Sequence, residues 1–142
     1  MSDPYRLQRF IDAQDAAGTY DRALAELRAG RKRTHWMWFI FPQVAGLGHS
    51  ATAREFAISS LDEAAAYLEH PVLGSRLVEC TSSIVHLQGK TAEGIFGGID
   101  AKKLRSSMTL FSQADPDEEM FTRALEIYFD GRPDEATLSL LA

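Results

Sequence analysis

Apolar residues in this chain recur at helical spacing, and each run ends at a proline, a glycine or a capping side chain. The clearest stripe is Leu73, Leu77, Cys80, Ile84 and Leu87, opened by Pro71 and closed by Gly89. A repeat near 3.6 puts these residues on one face of a helix, whereas a strand needs a repeat of 2. The same grammar recurs along the chain. Asp3-Pro4 reads as a cap and first-turn proline ahead of Leu7, Phe10 and Ile11, and Thr19 opens a run that Gly30 ends. Ser60 and Glu63 have capping-box spacing, and Asp115-Pro116 precedes a run through Phe121, Leu125 and Tyr128 that Gly131 stops. Pro133 to Leu141 reads as a last helix. No two-residue hairpin signal lies between alternating strands. The expectation is an all-α fold: one domain over residues 1–142, with about six to eight short helices, the count being an estimate from these stops.

Length, charge and cysteine content remove whole classes of function. With 142 residues, 45% of them apolar, the chain can close one core. The longest nearly apolar stretch, Trp36 to Phe41, is far too short to span a membrane, and the N-terminus lacks a hydrophobic signal core. A lone Cys80 rules out an internal disulfide and fits a cytoplasmic protein, and the four histidines with Cys80 show no metal-ligand spacing. No metal and no cofactor are expected. The formal charge of −5 is uneven: residues 115–142 carry eight acidic and two basic side chains, while the rest is nearly balanced. That disfavours extended nucleic acid as a partner but leaves room for a small anion. Nothing in the pattern addresses oligomeric state.

Two segments stand apart from the helical stripes. Residues 30–50 set Arg31, Lys32, Arg33 and His35 beside Trp36 and Trp38, then enter a Pro- and Gly-rich turn through Gln43. Residues 95–111 place Gly97-Gly98 before Asp100, Lys102, Lys103, Arg105, Ser106 and Ser107, with Asp100 expected to cap a helix. Cations, glycine backbone and aromatic surface are the components of a phosphate or nucleotide pocket. Each has an ordinary structural role as well: the tryptophans as core, the cations at a helix end, His35 as a bonded imidazole. Gly46-Leu47-Gly48-His49-Ser50-Ala51 matches a GxGxxA fingerprint in letters only, because no βαβ pattern surrounds it.

The strings HWMWFIFPQVAGLG at 35–48, AREFAISSLDEAAAYLEHPVLGSRL at 53–77 and KKLRSSMTLF at 102–111 resemble a bacterial family of unknown function. Its members are one-domain all-α proteins, sometimes labelled calpastatin-like. The resemblance runs from RFIDAQ at 9–14 to the tail. The disordered repeats suited to calpain inhibition are absent from this chain, so that label carries no function here. A weaker likeness, over Phe96-Gly97 to Met108, is to NADAR-type proteins of NAD and ADP-ribose metabolism. The glutamate- and lysine-rich early helix of that group is missing, and no catalytic residue transfers from it.

Together these features lead to the expectation of a hydrolase acting on the N-glycosidic bond of a nucleotide or ADP-ribose-type ligand. Asp100 and His35 are the candidate catalytic groups. Lys32, Arg33, Trp36, Trp38, Gln43, Gly97, Gly98, Lys103, Arg105, Ser106 and Ser107 are the candidate ligand contacts. The alternative is a non-catalytic module that binds an anionic ligand or a protein partner.

Overall fold

The computed structural model describes residues 2–142, and all regular structure in them is helical. In chain order the helices are α1 (Gln8–Asp15), α2 (Thr19–Arg28), α3 (Met37–Ile40), α4 (Ala51–Glu55), α5 (Leu61–Glu69), α6 (Leu73–Val85), α7 (Ala92–Ala114), α8 (Glu119–Phe129) and α9 (Glu135–Leu141). A 3-10 turn, Ala16–Gly18, joins α1 to α2. Among the described residues the nearest thing to a sheet is one isolated parallel bridge, Val44 to Ile58. Among the described residues no helix is long and apolar enough to cross a membrane.

The long helix α7 is the axis of the molecule. It packs against α5, α8 and α9, and α6 closes the layer by packing on α5, α8 and α2. Leu104, Met108, Leu110 and Phe111 of α7 are fully buried, as are Leu73, Leu77, Cys80 and Ile84 of α6. These residues belong to one continuous hydrophobic core that also takes in Phe10, Leu27, Trp36, Tyr67 and Phe121. Such burial, rather than helix propensity, stabilises elements as short as α3. Burial also pushes the Cys80 thiol up to about 12, so it behaves as an inert core side chain.

Several helix ends depart from the simple pattern. Asp3 does accept from helix amides, those of Leu7 (2.8 Å) and Gln8 (3.0 Å), but the helix starts at Gln8 because Arg6 takes a positive φ. Thr19 does not cap α2; its hydroxyl donates back to the Ala16 carbonyl. Ser60 caps α5 by accepting from Glu63 N, while the Glu63 carboxylate accepts from Ser59 N, one residue earlier than a capping box requires. Asp115 caps no helix: α8 begins after Glu118, and the Asp115 carboxylate accepts from Asp117 N within the turn.

The largest departure is at Asp100. Thr91 caps α7 by accepting from Gly94 N, so the helix begins nine residues earlier than an Asp100 cap would allow. Gly97 then interrupts it with φ 79° and ψ 166°, a conformation few residues other than glycine adopt. The chain resumes its helix at Gly98 in a new direction, and Asp100 sits in the first turn beyond the break. Its carboxylate is spent on lysines and not on backbone amides.

Candidate functional site

The two segments singled out above meet in space, and the contacts that join them are specific. Lys32 N donates to the Ile95 carbonyl at 2.8 Å. Behind that bond, the rings of Trp36, Phe41 and Phe96 form a triangle with centroids 6.1–6.5 Å apart. This aromatic packing holds the 31–41 segment against the first half of α7.

A buried carboxylate sets the shape of the segment. Glu26, in the last turn of α2, accepts from Arg33 N at 2.7 Å, Thr34 N at 3.0 Å, the Thr34 hydroxyl at 2.7 Å and Trp36 Nε1 at 3.0 Å. Burial alone would raise its pKa, but these four donors outweigh burial and hold it down at about 2. Glu26 is therefore a fixed anion around which residues 33–36 wrap. The sequence reading passed over it, since one glutamate in a helical run looks like solvated surface. Its only signal was a polar residue in step with Ala23 and Leu27 on the buried face.

On this frame sits a charged trio. Asp100 Oδ2 lies 3.0 Å from Lys32 Nζ, and Asp100 Oδ1 lies 3.6 Å from Lys103 Nζ. The Lys32 side chain is only 8% exposed; its ammonium also donates to the Thr34 carbonyl at 2.5 Å and stands 5.0 Å from the Trp36 ring centroid. Lys103 Nζ stands 4.9 Å from the centroid of Trp38. Two lysines around one aspartate leave a net positive charge beside aromatic surface.

Two cavities flank Trp38. The outer, of about 360 Å³, is lined by Lys32, His35, Trp38, Gly97, Gly98 and Asp100, among others. The inner, of about 190 Å³, lies beyond Trp38 and includes Gln43 and Lys103. Trp38 and Met37 belong to both walls. Small-molecule sites commonly span roughly 300–1,000 Å³, so the pair is of the right scale for one small ligand.

The structure thus gathers Lys32, His35, Trp38, Gly97, Gly98 and Asp100 around one cavity, with Gln43 and Lys103 next door. His35 is exposed at the rim. Other candidates stand elsewhere. Trp36 is fully buried and its indole N–H is committed to Glu26, so it cannot stack on a ligand. The exposed Arg33 lines neither cavity; its contribution is its backbone N–H to Glu26. Arg105 points away from the trio and donates to the Arg132 and Pro133 carbonyls at 3.0 and 2.9 Å, tying α7 to the segment before α9. Ser106 is buried against the Thr137 hydroxyl at 2.8 Å, and the buried Ser107 hydroxyl lines neither cavity. Asp100, Lys103 and Ser107 share one face of α7, but Ser107 lies about two turns beyond Asp100, where that face, like Ser106, is covered by the core. Among the described residues no group of His, Cys, Asp and Glu could hold a metal ion.

An all-helical domain with a small basic and aromatic pocket is the class that these features define. By sequence, the chain belongs to the family described as "Protein of unknown function (DUF1810)", whose model matches residues 4–141. It is similar to the conserved hypothetical protein Rv1873 from Mycobacterium tuberculosis, whose crystal structure superposes with a TM-score of 0.95. The two chains are 51% identical, and the similarity covers 98% of each. Comparison with curated proteins gave no match.

Proposed function

We propose that this protein is a hydrolase of a nucleotide or ADP-ribose-type ligand, cleaving an N-glycosidic bond in the cavity beside Trp38. The observation that carries the proposal is Asp100 held between Lys32 and Lys103 at the mouth of an aromatic pocket. The lysines supply charge for a phosphate, and Trp38 supplies a flat apolar wall. An arriving phosphate competes with Asp100 for the two ammonium groups and releases a carboxylate oxygen. That oxygen faces the ribose, stabilises the positive charge that grows at C1′ and takes a proton from the attacking water. The water oxygen bonds to C1′, the C1′–N bond breaks, and its electron pair leaves with the base. The base is protonated as it departs, with His35 at the rim as the available donor.

One observation favours a second reading, a binding module without catalysis. Both Asp100 oxygens are already occupied by lysines, as in a purely structural ion pair. Incubation with nucleotides and ADP-ribosylated compounds, followed by chromatography of free base, separates the two. Hydrolysis predicts base release that falls about 10²–10⁴-fold in Asp100→Asn with ligand binding retained. Binding without any base release over days, equal in wild type and Asp100→Asn, leaves the module.

A further inference from the structure

The inner cavity has features that the phosphate-directed trio does not explain. It is closed on its sides by Trp38, Phe41 and Phe56, with Gln43, Arg54 and Lys103 as its polar members. Its position is fixed by main chain: the Gln43 carbonyl accepts from Ile58 N at 2.8 Å, and Ala45 N donates to the Ile58 carbonyl at 2.8 Å. That bridge pins the backbone of residue 43 and leaves the side-chain amide free. The amide is half-buried and has no hydrogen-bond partner among the described residues. The fully buried Gln14 amide, by contrast, donates to the Phe39 carbonyl and the Tyr67 hydroxyl and accepts from Arg76. Arg54, on α4, likewise faces this cavity without an acidic partner among the described residues.

We infer that the inner cavity is a base subsite that takes a planar heterocycle presenting a donor beside an acceptor, as a 6-aminopurine does. The inference rests on the phosphate-binding reading of Lys32 and Lys103 and adds the identity of the group on the far side of Trp38. Aromatic walls favour a flat ring. A purely apolar ligand would bury the Gln43 amide unpaired, which costs binding free energy. The amide offers one N–H donor and one carbonyl acceptor side by side, the pattern that matches the exocyclic amine and ring nitrogen of adenine. A volume of about 190 Å³ equals the share of about six waters, enough for one base and not for a dinucleotide. Lys103, shared between the trio and this cavity, stands where the base and its phosphate arm would join.

The test compares adenosine 5′-monophosphate with purine riboside 5′-monophosphate, which lacks only the 6-amino group, and with ribose 5-phosphate, which lacks the base. Binding is read by calorimetry on the full chain. Wild type should favour the adenine compound over the purine compound by about tenfold, and Gln43→Leu should bring that ratio close to one. The backbone bridge survives this substitution; if the variant nonetheless fails to fold, the wild-type ratio alone decides. Equal affinity for both nucleotides in wild type overturns the base subsite. A ratio unchanged in Gln43→Leu overturns the role of Gln43. Ribose 5-phosphate binding as tightly as the adenine nucleotide, and weakened by Lys32→Ala, removes the subsite but keeps the phosphate site. Absence of binding by all three removes both.

Discussion

Lys32 Nζ and Asp100 Oδ2 stand 3.0 Å apart, joining the loop after α2 to the first turn beyond the Gly97 break. The pair is mostly shielded, with the lysine side chain 8% and the aspartate side chain 20% exposed. Removing one partner of such a pair strands the other charge. Asp100→Asn leaves Lys32 and Lys103 facing one another without a countercharge and should destabilise the fold by about 2 kcal/mol. Lys32→Met keeps the stem against Trp36 and should cost less. Urea denaturation of both variants measures this, and an Asp100→Asn chain as stable as wild type would show that the pair contributes nothing to the fold.

Glu26 leads to a pH prediction. Its folded pKa, about 2, lies below its ordinary value of 4.5, so the folded state binds its proton less well than the unfolded chain. The sign follows: its stabilisation is fully present above pH 4.5 and is lost as pH falls towards 2. Glu26→Gln, which places an amide donor among four donors, should destabilise the protein by about 2–4 kcal/mol at neutral pH. It should also flatten the acid limb between pH 4.5 and 2 in thermal melts. An unchanged acid limb in this variant would contradict the assignment.

The two tryptophans should report separately. Trp36 is fully buried, whereas Trp38 walls both cavities. Ligand-dependent quenching of fluorescence should therefore vanish in Trp38→Phe. The same substitution at Trp36 should mainly lower stability, since it empties space in the core and unpairs Glu26 from the indole. Quenching that persists in Trp38→Phe would place the ligand elsewhere.

Arg105 provides the opposite control. Its guanidinium ties α7 to the 132–133 carbonyls and not to the cavity beside Trp38. Arg105→Ala should lower the melting temperature by several degrees, corresponding to about 1–2 kcal/mol for the lost charged hydrogen bonds. Ligand affinity should stay within about twofold, since no phosphate contact is lost. Lys103→Ala should do the reverse, with affinity falling and the melting point nearly unchanged.

The helices were legible where a stripe and a stop agreed. Leu73, Leu77, Cys80 and Ile84 are buried along α6 as their spacing predicts, and Gly30 takes the positive φ that ends α2. Asp100 was misread as a cap because an aspartate after two glycines satisfies local capping rules. The tertiary structure instead begins α7 at Thr91 and uses Gly97 as a break within it. The site was legible as two segments rich in cations and aromatics, but not as a list of contacts. Lys103 and Arg105 look equivalent in sequence, and two positions along a helix turn one towards Trp38 and the other towards Arg132. Glu26 was invisible for a different reason: half of its donors are backbone N–H groups, which no side-chain motif records.

The central claim is that the trio of Lys32, Asp100 and Lys103 beside Trp38 receives a phosphate-bearing nucleotide-type ligand. Calorimetric titration of adenosine 5′-monophosphate and ADP-ribose into the wild-type chain and into the Lys32→Ala, Lys103→Ala double variant tests it most directly. Saturable one-to-one binding to wild type, weakened at least about tenfold in the double variant, is the predicted result. Wild-type protein that takes up neither compound at millimolar concentration, or a double variant that binds as well as wild type, would contradict it.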